Sequence, residues 1–344
     1  MSLSDLVLTA SNSLVKMSYN AGYHPGFGPT NNSLFNGDGF GVGWYHKHSV
    51  EPALFRDVLP AWSDSNLREV CKATWSECIL AHVRAASPGS VVSRENCHPF
   101  KAGRLMYCHN GRIDGFWRIR RQMLEDLTED AYLCIRGTTD SEVAFGMILS
   151  NLEKDGGESP FTQTKPFGHE RLAAAVELTI KQIEKYCSGC SKEFCRGFST
   201  LNFALTDGET VILSRYCDKD PEIPPPSLYF AFGDATELNK ILSKGDSMNA
   251  GPGDGSALPM TRADVNKRIE EAMKNHEPLT KDHESFQEYQ DFAEKWNGTP
   301  TDQCAFVVAS DPLTFSEELW HPVPSNSILW CNKGGFPEMR QIAL

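Results

Sequence analysis

The order of its hydrophobic periodicities is what most constrains this chain. Short alternating or continuous apolar runs come first: FGVGWYH, PALFRDV, ECILAHVRA and RLMYCHNG. Runs with helical spacing follow, in WRIRRQMLEDL, SEVAFGMILSNLE and HERLAAAVELTIKQIEKYC. Strand-like runs then return in TLNFALTDGETVILSRY, SLYFAFG, CAFVVAS, SILWCNK and EMRQIAL. A two-residue period buries one face of a strand, and a 3.6-residue period buries one face of a helix. Strands, then helices, then strands predict antiparallel or mixed sheets with helices on their outer faces, a layered α+β build without alternating βαβ units. Asp207-Gly208 predicts a hairpin turn, since that dipeptide is favoured where both turn residues need positive φ. Ser2 followed by Asp5 predicts a capping box for a helix over residues 3–8, with a second helical piece at 11–19 and another behind Pro60.

With 344 residues, 40% of them apolar, the chain has material for one large core. It is expected to form a single domain over 1–344, with the charged, apolar-poor stretch 236–300 as a peripheral helical insertion. Thirty-three Lys and Arg against 45 Asp and Glu give a net charge of −12. That balance argues against nucleic acid or an anionic membrane as partner. No apolar run reaches the roughly 18 residues of a membrane span, and no basic segment precedes the first apolar run as in a secretory signal. Eleven cysteines, an odd number spread from Cys71 to Cys331, read as reduced thiols of a cytoplasmic enzyme.

Several short motifs carry possible chemistry. Asn36-Gly37-Asp38-Gly39-Phe40-Gly41-Val42-Gly43 alternates glycine along a strand, either as a turn or as a strand face kept open near a substrate. Arg84 closes a buried strand, where a guanidinium can hold a carboxylate by two parallel hydrogen bonds or form a surface salt bridge. His82, two residues earlier, is expected to be a hydrogen-bonded structural residue pointing into the opposite layer. Cys97 and His98 are neighbours on an extended segment and should face opposite ways, which argues against a thiol–imidazole pair. Asn110-Gly111 closes the next strand as an ordinary turn or as two donors suited to an oxyanion. Asp140, with Thr139, either caps the following helix or accepts from a ligand ammonium. Cys187, Cys190 and Cys195 offer three thiols without a clear fourth zinc ligand, and no metal or other cofactor is expected.

Taken in order, SLSDLVLTASNSLVKMSY, NGDGFGVGWY, PAWSDSNL, AHVRAAS, NCHPF, CHNG and GTTDSE resemble the class II glutamine amidotransferases, a family of N-terminal-nucleophile hydrolases. The resemblance is to the branch that hydrolyses γ-glutamyl amide bonds in glutathione degradation and ergothioneine synthesis. It implies a four-layer αββα sandwich. It also implies that Arg84 binds the substrate α-carboxylate, that Asp140 binds the α-ammonium, and that Asn110 and Gly111 form the oxyanion hole. Family members begin Met-Cys-Arg-Phe and use the exposed cysteine as nucleophile with its own amine as base, whereas this chain begins Met-Ser-Leu. The resemblance therefore implies that the first strand and the nucleophile are missing, that the chain as written lacks hydrolase activity, and that a full-length form carries it. The alternative is a catalytically inactive relative that binds ligand or a partner, for which the family suggests a metallopeptidase-like subunit.

Overall fold

The structure, a computed structural model, describes residues 1–19, 35–87, 90–195, 197–219, 222–243, 286–296, 300–301, 303–314 and 317–343. A π-helical turn over Asp5–Thr9 and helix α1 (Leu14–Tyr19) precede strands β1 (Phe40–Trp44), β2 (Ala53–Asp57) and β3 (Ile79–Val83), with α2 (Ser65–Ala73) before β3. Strands β4 (Phe100–Ala102) and β5 (Leu105–Arg112) lead into α3 (Phe116–Glu125), α4 (Glu129–Cys134), α5 (Asp140–Lys154) and α6 (His169–Gly189). The chain continues through β6 (Thr200–Thr206), β7 (Thr210–Arg215), β8 (Tyr229–Asp234), α7 (Ala235–Ser243) and α8 (Phe286–Lys295). It closes with β9 (Cys304–Ala309), β10 (His321–Pro322), β11 (Ser327–Asn332) and β12 (Glu338–Gln341).

Among the described residues every ladder is antiparallel. One sheet has six strands in the order β12-β11-β7-β6-β5-β4. Facing it are two three-stranded pieces, β2-β1-β3 and β10-β8-β9, with edge strands β2 and β3 in one and β10 and β9 in the other. Helices α3, α5 and α6 cover the outer face of the six-stranded sheet, burying Tyr107 and Phe203 against Phe145, Ile148 and Val176. On the far side, Leu3, Val7 and Val15 pack on Phe40 and Val42, while Ala10 and Met17 reach Ala231 and Val307. The N-terminal helical segment thus covers both three-stranded pieces, and the layers run helix, sheet, sheet, helix.

Three local expectations change in detail. Ser2 Oγ accepts from the Ser4 amide (3.1 Å), and the segment that follows winds as a π-helical turn in place of a capped α-helix. At the hairpin only Gly208 has positive φ; Asp207 instead turns its Oδ1 onto the amides of Glu209 and Thr210 and holds the bend with its side chain. Most of 236–300 lies outside the described residues. Its described ends are packed: α7 buries Leu238 and Leu242, and Phe292 of α8 lies against Phe230 of β8.

Candidate functional site

The alternating glycines of β1 set the spacing between the layers. A Cβ on Gly41 would stand 2.0 Å from the His98 carbonyl oxygen, and one on Gly43 would stand 2.5 Å from Met106 Sδ of β5. Gly39, at φ +117, faces Cys97 Sγ in the same way. These positions are occupied by the segment 97–99 and by the opposite sheet, so the glycines admit protein rather than an open substrate face. The result is that residues 97–99 press directly on β1.

Arg84 follows β3 and is 5% exposed. Its guanidinium donates to Ser90 Oγ (2.7 Å), the Val91 carbonyl (3.3 Å) and the Asp38 carbonyl (3.5 Å). The nearby Asp38 carboxylate turns to the Ala86 amide (2.8 Å), and no carboxylate among the described residues pairs with Arg84. A guanidinium buried without an anion costs several kcal/mol, so this position favours an anionic ligand over the surface salt bridge.

Asn96 ties Arg84 to the start of α5. Its amide donates to the Val91 carbonyl (2.8 Å) and to Thr138 Oγ1 (3.1 Å), and its oxygen accepts from the Thr138 amide (2.8 Å). The next residue, Thr139, caps α5 by accepting from the Glu142 amide (3.2 Å). Asp140 is therefore not the cap. Its carboxylate accepts from the Ile113 amide (2.8 Å) and the Ser141 amide (2.8 Å), which fastens it to the end of β5. His109 of β5 adds a second tie. Thr200 O can only accept, so Nε2 (3.0 Å) carries the proton and Nδ1 accepts from Ser141 Oγ (3.0 Å).

Asn110 and Gly111 sit at that same strand end. The Asn110 side-chain amide donates to Ser310 Oγ (3.1 Å), just past β9. Gly111 is exposed, has φ +153, and would place a Cβ 1.9 Å from the Thr200 carbonyl oxygen, so only glycine fits. Arg84, Asp140, Asn110 and Gly111 are thus joined through Ser90, Val91, Asn96, Thr138 and Ile113. Asn96 and Ser310 were not singled out from the sequence; Asn96 had a signal in the polar run before Cys97, and Ser310 had none.

Buried histidines line the space between the layers. The His82 and His98 rings lie 4.2 Å apart, and the guanidinium charge of Arg84 bears on both imidazoles. Burial holds His82 down to about 3 and His98 well below the usual imidazole range, so both are neutral at pH 7. His82 does point into the opposite layer, but its Nδ1 and both nitrogens of His98 find no hydrogen-bond partner among the described residues, contrary to the hydrogen-bonded role expected for His82. Cys97 Sγ turns to the carbonyls of Asp57 (3.4 Å) and Ser93 (3.5 Å), away from His98, and burial raises its pKa. Among the described residues no three His, Cys, Asp or Glu side chains gather as a metal site, and no helix is long and apolar enough to cross a membrane.

Fold and motif order together define an amidotransferase of the N-terminal-nucleophile type, and the chain belongs to the class II glutamine amidotransferases, whose family model matches residues 4–220. It is 33% identical over 303 residues to the probable glutamine amidotransferase DUG3 of Saccharomyces cerevisiae, covering 87% of this chain and 70% of the yeast protein. A γ-glutamyl-hercynylcysteine sulfoxide hydrolase of Mycolicibacterium smegmatis is 33% identical over 113 residues, 33% of this chain and 47% of that protein, so the match spans less than half of it. A glutamine aminotransferase class-II domain protein from Silicibacter pomeroyi superposes with a TM-score of 0.51 at 24% identity, over 89% of this chain and 92% of its own, and shows the same fold.

Proposed function

We propose that the site binds the head group of a small γ-glutamyl amide, such as glutamine or a glutathione-like peptide, and that the protein's reaction is hydrolysis of that amide bond. Arg84 takes the α-carboxylate, Asp140 the α-ammonium, and the Asn110 side chain with the Gly111 amide takes the oxyanion. The observation that carries this reading is the buried guanidinium of Arg84, without a carboxylate partner among the described residues, linked through Asn96 to the loop that holds Asp140. A fixed cation and a fixed anion orient a zwitterion at both ends.

For the attack we assign an N-terminal cysteine on a further strand that pairs with the edge of β3 or of β9, both of which are free among the described residues. β3 packs on β5, and Ser310 beyond β9 touches Asn110, so either edge would bring an added strand toward the oxyanion donors. Unpaired strand edges favour such an addition. The family-like reading also includes a metallopeptidase-like partner subunit, testable by co-purification from native extract.

Calorimetry and glutamate release test the proposal. The protein should bind glutamine or glutathione, and Arg84→Ala should remove the binding. A form headed by such a cysteine strand should release glutamate. Native protein that binds but releases none, whatever its N-terminus, would support the ligand-binding subunit instead. Binding unchanged in Arg84→Ala would refute the head-group assignment.

A further inference from the structure

A cavity of about 320 Å³ lies apart from the head-group site; none of Arg84, Asp140, Asn110 and Gly111 lines it. It is bounded by the edge strands β2 and β4, one from each layer, and by α4, α5 and the turn between them. Its size is at the lower end of the range for small-molecule sites, about 300–1,000 Å³. Phe100 of β4 and Phe145 and Leu149 of α5, all nearly fully buried, form an apolar wall, which Leu54 of β2 extends.

The charged side chains of the lining are Arg56, Lys101 and Arg136 against Glu95 and Glu142, so cations outnumber carboxylates. Glu142 is already engaged, accepting from the amides of Arg136 (3.0 Å) and Gly137 (2.6 Å). Lys101 Nζ donates to Glu51 (3.3 Å) and to the Pro52 carbonyl (3.2 Å), and Glu95 stands exposed. Arg56, half-buried on β2, spends one terminal nitrogen on the carbonyls of Cys97 (2.9 Å) and Pro99 (3.5 Å). Among the described residues its Nε and its other terminal nitrogen have no partner, and neither does the Arg136 guanidinium. Two guanidiniums with free donors beside an apolar wall match a planar anion that carries hydrocarbon behind it.

We propose that this cavity binds a small amphipathic carboxylate, its anionic head on Arg56 and Arg136 and its aryl or alkyl body against Phe100, Phe145 and Leu149. The two guanidiniums belong to the two segments that Asn96 also joins. Arg56 holds the carbonyls of Cys97 and Pro99, directly after Asn96, and Arg136 lies two residues before Thr138, which Asn96 binds. A carboxylate on both guanidiniums therefore adds a second bridge between the 96–99 segment and the turn before α5. Exchange of the Gly137 and Thr138 amides, which donate to Glu142 and Asn96, should slow when the ligand is bound.

The test is calorimetry of the native chain with 4-phenylbutyrate and with its neutral counterpart, 4-phenylbutyramide. The carboxylate should saturate a single site, and the amide should bind about tenfold more weakly or worse. Arg136→Ala and Arg56→Gln should each weaken the carboxylate by about tenfold or more and leave the amide unchanged. Arg136 is exposed and its side chain has no contact among the described residues, so that variant does not put folding at stake. Arg121→Ala, on the solvent face of α3, should change nothing. Arg84→Ala should hold 4-phenylbutyrate as tightly as the native chain does, which separates this site from the head-group site. No saturable binding, or equal affinity for carboxylate and amide, would overturn the proposal. So would binding that is lost in Arg84→Ala but intact in Arg136→Ala.

Discussion

The two β-layers of this protein use the same strand chemistry and reach opposite ends. In the six-stranded sheet each interior strand is paired on both sides, and α3, α5 and α6 seal its outer face over Tyr107, Phe203 and Ile148. The facing layer is split into β2-β1-β3 and β10-β8-β9; Arg84 follows the edge strand β3, and Ser310 follows the edge strand β9 and meets Asn110 at the end of β5. The closed layer supplies rigidity and holds Asn110, Gly111 and the Asp140 contact. The divided layer supplies the buried cation and leaves backbone donors and acceptors free for another strand. The proposed head-group site lies between the six-stranded sheet and this divided layer.

The contrast breaks first on core deletion. Phe203→Ala, in the closed layer at 1% exposure, should cost about 3–5 kcal/mol in denaturant unfolding. Phe55→Ala, half-buried on β2 of the divided layer, should cost roughly half as much, in proportion to the area it hides from water. Equal losses would mean that the two layers are equally closed.

A pH effect of the order of a few kcal/mol should follow. Asp311, beside Ser310 and 3% exposed, is raised by burial to about 7, with only a long contact from Ser227 Oγ (3.5 Å). An unfolded carboxyl titrates near about 4. Between those values the folded state binds the extra proton, so this group's contribution to stability grows as pH falls from about 7 to about 4. The neutral, buried His82 and His98 act with the opposite sign as the unfolded imidazoles charge below about 6.5. Asp311→Asn isolates the carboxyl: the variant should be more stable than the parent at pH 8, and that advantage should vanish near pH 4. A stability difference that does not change with pH would contradict the assignment.

Smallest in stability, at about 1–3 kcal/mol, is Asn96→Ala, which leaves the Thr138 amide without its partner and the Val91 carbonyl with Arg84 alone. Its larger consequence is for binding, because Arg84 and Asp140 would no longer be held at a fixed separation. Glutamine affinity should fall even where thermal unfolding barely shifts; intact affinity would show that Asn96 only supports the loop.

Much of this fold was legible in the sequence because buried elements leave apolar runs or periods. β5 and the β6–β7 hairpin, buried on both faces, read as near-continuous apolar runs, α5 is buried throughout Ser141–Leu152, and α6 buries one face at helical spacing. The short α4 and β4 carry too few residues to show one. The glycines of β1 were visible, but their reason was not, since the His98 carbonyl and Met106 that fill the space come from elsewhere in the chain. Arg84 and Asn110-Gly111 stood out at the ends of strand-like runs, and Asp140 at the start of a helix. Asn96, which links two of them, and Ser310, which meets Asn110 from 200 residues away, act through tertiary contacts that no local pattern records.

The central claim is that Arg84 and Asp140 grip opposite ends of one head group. Calorimetry with glutamine, an analogue lacking the α-carboxylate and an analogue lacking the α-amine tests it directly. Arg84→Ala should weaken glutamine by about 30-fold or more and leave the carboxylate-free analogue unchanged. Asp140→Asn should weaken glutamine and spare the amine-free analogue. Arg84→Ala weakening all three ligands alike, or none of them, would contradict the account.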